Sequence, residues 1–210
     1  MNQELPAGWT ITSLENISQI NPRHPKDLDD FLPVTFATMP ALSEVGYRFK
    51  FEEERPLGKV RKGYTHFAEG DVLFAKITPC MENGKAAVAS GLRNGLGCGT
   101  TELHVLRPKE GIDPKYIYFF LHQESFRRDA AQNFTGTAGQ LRVPVSFVAK
   151  AEIPLPPSDE QRRIVAKLEK LLEKVESSRT RLEKIPVLLK RFRQSVLAAA
   201  CSGRLCYFLQ

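Results

Sequence analysis

Long apolar runs are missing from this sequence. No stretch of about 18 consecutive apolar residues occurs, so no membrane-spanning helix is expected. Paired cysteines are missing as well: Cys80, Cys98, Cys201 and Cys206 show no CxxC spacing, which argues against a dithiol or zinc-ribbon framework. The opening MNQELPAGWT has neither a basic start nor an apolar core. It does not read as a secretory leader, and reduced thiols in a cytoplasmic protein are expected. His24, His66, His104 and His122 are scattered, and no metal site is expected from them. Neither a glycine-rich phosphate loop nor a Ser/His/Asp order is present. Asn21-Pro22-Arg23-His24 begins like the Asn-Pro-Pro-aromatic motif of adenine methylation and departs from it after two residues. Asp71, Glu82 and Lys85 loosely suggest the acidic core of a metal-dependent nuclease, but Asn83 and Gly84 break the usual spacing. These gaps favour a non-catalytic binding protein that needs no cofactor.

What is present is globular in composition. The 210 residues are 42% hydrophobic and 26% charged, enough for one domain and an extra element. The net charge of +6 is unevenly placed: residues 1–157 carry 18 basic and 18 acidic side chains, and residues 158–210 carry 12 basic and 6 acidic ones. A basic surplus suits a polyanion such as nucleic acid, or it marks a solvated helix face. The composition changes at IPLPPSDEQ, residues 153–161. The division expected is a domain over 1–157, a long helix over 158–203 and a tail over 204–210.

The helix follows from the residues. Pro156 and Pro157 end the preceding element, and Ser158 with Gln161 has capping-box spacing. Asp159 and Glu160 suit the first turn, and Gly203 is placed to stop the helix. Ile164, Leu168, Leu171, Val175, Ser178, Leu182, Ile185, Leu189, Phe192, Val196 and Ala199 recur at alternating steps of four and three. A seam this narrow is that of a left-handed coiled coil, and it favours a second copy of the chain as partner. Packing along the chain's own domain is the alternative. Pro186 lies inside the pattern and predicts a kink or short break.

The first segment reads as mixed α and β. VTFA (34–37), DVLFAKI (71–77), AAVAS (86–90) and LHVLR (103–107) are strand candidates, and helices are expected over 114–122, 124–131 and 144–150. Two loops carry candidate DNA-binding groups. In the first, Lys76, Thr78, Asn83 and Lys85 offer ammonium, hydroxyl and amide groups, and Asn can pair with adenine through two bonds. An ordinary hairpin turning at Asn83-Gly84 is the alternative. In the second, Thr135 to Arg142, glycines allow close approach while Thr137, Gln140 and Arg142 supply hydrogen bonds. A third stretch, Gly97 to Glu102, suits either packing or contact. Trp9 is expected to anchor the core rather than to stack on a base.

Four stretches together resemble the DNA-specificity subunit of type I restriction–modification systems. They are Leu5-Pro6-x-Gly8-Trp9; Gly70 to Cys80 with Glu82-Asn83-Gly84-Lys85; Ile153 to Pro157 with Glu160-Gln161-x-x-Ile164-Val165; and Phe192 to Leu205. The resemblance implies an α+β target-recognition domain followed by a long coiled-coil helix. It implies a non-catalytic protein that reads one arm of a split double-stranded DNA target and recruits modification (methyltransferase) and restriction subunits. A DNA-blind coiled-coil interaction module is the alternative. A typical member has two recognition domains and two helices in about twice this length. A natural half-subunit, a truncated product and an engineered fragment all fit, and family precedent for half-length forms is a homodimer through the helices, reading a palindromic target.

Overall fold

A computed structural model of the chain describes residues 5–50, 53–137 and 140–202. The chain divides into two compact units, the first closing at Val165 and the second opening at Ala166. In chain order the first unit contains β1 (Thr10–Ser13), α1 (Leu14–Ile17), β2 (Ser18–Ile20), β3 (Pro33–Ala37), β4 (Glu53–Pro56), α2 (Leu57–Val60), β5 (Thr65–Ala68) and β6 (Val72–Ala75). Then come β7 (Ala86–Val88), β8 (Leu96–Gly99), β9 (Leu103–Pro108), α3 (Pro114–Leu121), α4 (Glu124–Gln132), α5 (Val145–Lys150) and β10 (Glu152–Leu155).

The strands form a sheet of order β2-β9-β6-β7, a sheet of order β4-β3-β8-β5 and a β1-β10 ribbon. All pairs are antiparallel except β3 with β8. Strand β6 is buried at every position, because its pleat sends successive residues to opposite, covered faces. Val72 and Phe74 pack with Ile117, Leu121, Phe126 and Val148 of the helices. Leu73 packs with Ala37, Phe67 and Val105, towards the second sheet. A strand covered on both sides needs apolar residues at successive positions, which is why VLFA does not alternate. Val34, Phe36, Leu57, Val60 and Cys98 make a third cluster.

Two glycines of β8 are explained by packing. A Cβ at Gly97 would lie 2.1 Å from the Phe67 ring, and one at Gly99 would lie 2.6 Å from the Ala37 carbonyl oxygen. Cys98 between them is buried, and burial pushes its thiol up to about 12. Helix α3 starts as its sequence predicts: Asp113 accepts a 2.8 Å hydrogen bond from the Lys115 amide, and Pro114 takes the first position. Residues 153–155, read above as part of a break, are instead strand. Thr10 to Ser13 pairs with Leu155 to Glu152, and Pro154 is tolerated in this two-stranded ribbon. Trp9 is half-buried, with its indole N–H buried and unpartnered among the described residues.

Helix α6 (Ser158–Cys201) is 44 residues long, and its first turns belong to the first unit. Gln161 is not the reciprocal half of a capping box. Its side chain is buried, accepts from the Asp113 amide at 2.9 Å and donates to the Pro156 carbonyl at 3.0 Å, joining the helix start to the 111–113 turn. Ile164, placed above at the head of the seam, packs instead against the first unit's core. Leu168 is half-buried, whereas Leu171, Val175, Leu182, Ile185, Leu189, Phe192 and Val196 are exposed, Phe192 to 66%. Ser178 folds back to donate to the Lys174 carbonyl at 2.9 Å. Helix α6 is continuous through Pro186, so of the expected kink or short break the break does not occur. Gly203 and the 204–210 tail lie outside the described residues.

Candidate nucleic-acid interface

The loop between β6 and β7 is shaped by its own core residue and by α4. Met81 is fully buried and fixes the loop's middle. The Thr78 hydroxyl donates to the Glu82 carboxylate, and the Asn83 amide donates to the Pro79 carbonyl at 3.0 Å. The Arg127 guanidinium donates to the Glu82 carbonyl at 2.9 Å. Gly84 has φ +77°, and a Cβ there would meet Arg127 at 2.8 Å and His122 at 2.9 Å. The segment is therefore a folded ten-residue loop, not a two-residue hairpin turning at Asn83-Gly84. Asn83 is exposed, with its amide 3.3 Å from a Glu44 carboxylate oxygen, and Lys85 is half-buried.

The second loop returns to meet the first. The Thr78 amide donates to the Leu141 carbonyl at 3.1 Å, and the Val143 amide donates to the Lys76 carbonyl at 2.9 Å. The third stretch joins at the same place, because the Lys76 amide donates to the Glu102 carbonyl at 3.0 Å. Lys76, Thr78, Glu102 and Arg142 are thus brought together from three separate parts of the chain. Thr137 and Gln140 are exposed, and the Gln140 amide donates to the Thr137 carbonyl at 2.9 Å. Ala138 and Gly139 between them lie outside the described residues.

Arg142 is not a free donor. Its guanidinium makes two bonds to Glu102, at 2.7 and 2.9 Å, and donates to the Gln140 carbonyl at 3.0 Å. These bonds hold the Glu102 carboxyl below its ordinary range, so both groups stay ionised and bind the loops to each other. Asp71 is likewise structural. It is 1% exposed, accepts from Arg107 at 2.9 and 2.8 Å and accepts from the Ala68 amide at 2.7 Å. Both its oxygens are committed, unlike those of a metal-binding acid. Among the described residues no group of three metal-ligating side chains is found.

Beside the loops lies a cleft of about 290 Å³ that the sequence did not single out. Lys76 and Thr101 line it together with Asn21, Arg23, Tyr64, Thr65 and His66. Its walls are set by buried histidines. The His24 amide donates to His66 Nδ1 at 3.0 Å, and the two rings stack with centroids 4.7 Å apart. Because Nδ1 accepts, the His66 proton is on Nε2, which donates to the Arg61 carbonyl at 2.8 Å. Burial lowers the pKa values of His24, His66 and His104, so these rings are neutral near pH 7. Arg23 had a sequence signal only as part of a methylation motif that failed, and Tyr64 had none.

The family model described as the type I restriction modification DNA specificity domain matches residues 7–187. The specificity subunit of the type I restriction enzyme EcoAI from Escherichia coli is 45% identical over 173 residues, covering 80% of this chain and 29% of that protein. The EcoEI specificity subunit, also from Escherichia coli, is 44% identical over 170 residues, covering 80% and 28%. A solved chain described in terms of complex assembly and conformational transition of the type I R-M system superposes with a TM-score of 0.68. It is 21% identical and covers 95% of this chain and 47% of its own. The HsdS subunit from Thermoanaerobacter tengcongensis gives a TM-score of 0.58 at 22% identity, covering 84% and 40%. The solved chains share this fold. The chain spans less than a third of these curated relatives and under half of the solved chains.

Proposed function

The chain belongs to the type I restriction modification DNA specificity family, and from that premise we propose that it is a non-catalytic, sequence-specific DNA-binding subunit reading one half of a split target. Residues 1–157 are the recognition domain, and the 158–203 helix is the spacer. The observation that carries this reading is the family match over 7–187, together with two loops that meet and hold exposed amide and hydroxyl groups at Asn83, Thr137 and Gln140. Lys76, Thr78 and Lys85 complete the contact set, while Arg142 supports it through Glu102. Modification and restriction subunits supply the chemistry on DNA. The DNA-blind module is the weaker reading, and salt-sensitive binding to duplex DNA separates the two.

The exposed seam supports an assembly of two copies. Two copies lie head to tail along the helices, which covers Leu171 to Val196 of each. Two-fold symmetry then requires two inverted copies of one half-site, separated by a gap that the helix length sets. Light scattering is expected to give twice the chain mass, and methylation mapped with the modification subunit is expected to mark a palindromic target. An asymmetric target read by the homodimer would overturn the symmetric arrangement.

A further inference from the structure

Asn21-Pro22-Arg23-His24 fails as a methylation motif, yet the fold gives it a tightly held position. Asn21 has a left-handed backbone, φ +49°, and clips onto β9 twice. Its amide donates to the Val105 carbonyl at 2.7 Å, and its side-chain oxygen accepts from the Val105 amide at 2.9 Å. Pro22 is buried. His24 is buried, stacked on His66, and its Nε2 donates to the Gly97 carbonyl at 2.8 Å. Arg23, between two anchored neighbours, is exposed and has no hydrogen-bond or ion-pair partner among the described residues.

Among the described residues Arg48, Arg128 and Arg163 are unpaired as well, but Arg23 alone of these lines the cleft. Arg61, Arg107 and Arg142 are each bonded to a carboxylate. By contrast, none of the residues lining the cleft at Arg23 is acidic. Lys76 lines the same cleft and makes no ion pair among the described residues. Glu102 lies near enough to feel the Lys76 charge, but Arg142 holds both its oxygens. The hydroxyls of Tyr64, Thr65 and Thr101, also in the cleft, have no partner among the described residues. Two free cations and three free hydroxyls in a concavity without carboxylates suit an oxyanion such as a phosphate group. A guanidinium matches phosphate oxygens through paired donors, and an anchored backbone lowers the entropy lost on binding.

We propose that this cleft seats a phosphodiester of the DNA backbone, with Arg23 and Lys76 as its cationic donors, a role that rests on the DNA-reading assignment above. The cleft sets where the duplex lies, and the neighbouring loops read bases. A phosphate contact carries no sequence information and contributes to the salt dependence, whereas a base contact does the reverse.

The experiment is fluorescence anisotropy of the full chain with its modification subunit, across a salt series. The two probes are a duplex carrying the mapped target and a scrambled duplex of equal length. Arg23→Gln is expected to weaken both duplexes by the same factor, roughly tenfold for each copy of the chain, and to lower the salt slope by about 0.9 per copy, about 1.8 for the homodimer. Arg23→Lys is expected to restore the slope. Thr101→Glu, which puts a carboxylate into the same cleft, is expected to weaken both duplexes again. An unchanged slope in Arg23→Gln overturns the phosphate site, and so does a loss confined to the target duplex. A wild-type complex that does not distinguish target from scrambled DNA instead overturns the recognition reading beneath it.

Discussion

Set beside each other, the first unit and the helix beyond Val165 treat similar apolar side chains in opposite ways. In the first unit Leu14, Phe74, Leu106 and Ile117 are fully buried, and arginine is matched to carboxylate at Asp71–Arg107 and Glu102–Arg142. In the helix Leu182, Leu189 and Phe192 are exposed, and a pair such as Arg179–Glu183 is exposed too. The first unit therefore holds the reasons for its stability within one chain. The helix has a clear pattern whose energy is realised only when something covers it.

The largest effect expected from this contrast lies inside the first unit. Asp71→Ala leaves Arg107 without its partner and the Ala68 amide without an acceptor, and is expected to cost about 3–5 kcal/mol of unfolding free energy. Urea denaturation checks this, and a loss below about 1 kcal/mol would make the two regions less different than drawn. Next comes the seam. Leu189→Ala and Phe192→Ala are each expected to weaken self-association by about 2–5 kcal/mol, while leaving the unfolding of the first unit unchanged. Sedimentation across a dilution series reads the first quantity. Both residues changed to Lys should give a monomer, and a dimer that persists would break the comparison.

Smaller effects follow at the loops. Asn83→Ala and Gln140→Ala are each expected to lose about 1–3 kcal/mol of target binding per base contact removed, with little loss of stability, because both side chains are exposed. Equal loss on random DNA would remove them from base reading. The smallest effect is with pH. Burial lowers the folded-state pKa values of His24, His66 and His104 below the ordinary 6.5, so the unfolded chain binds more protons as the pH falls. Their contribution is complete above about pH 6.5 and is lost towards acid, by at most about 1.4 kcal/mol per pH unit for each histidine. Denaturation midpoints at pH 7.5, 6.5 and 5.5 should decline, and a flat profile would contradict the buried, neutral state.

The parts of the fold that could be read in advance were those with a local cause. VLFA and LHVLR are strands because both faces are covered, and Asp113-Pro114 starts α3 through its own cap. VTFA and AAV are strands as expected too, and the strands beyond these four escaped notice for physical reasons. β4, EERP, is charged. β8, LGCG, has little bulk because Phe67 occupies the space where its side chains would stand. β1 and β10 pair across about 140 residues of sequence separation, which no local pattern reports. The two loops were legible by their donors. Their meeting at Lys76, the pairing of Arg142 with Glu102 and the cleft at Arg23 were not, since each depends on contacts between distant segments. Gln161 shows the same limit: local spacing suggested a cap, and a long-range turn took the side chain instead.

Gly84 has a bearing on protein engineering. The loop above it owes its shape to His122 and Arg127, some forty positions downstream, which occupy the space any side chain at 84 would need. Moving residues 76–85 alone onto another scaffold would carry the letters and leave the shape behind. A successful transplant would have to take the end of α3 and the beginning of α4 with it, so the portable unit is larger than the loop.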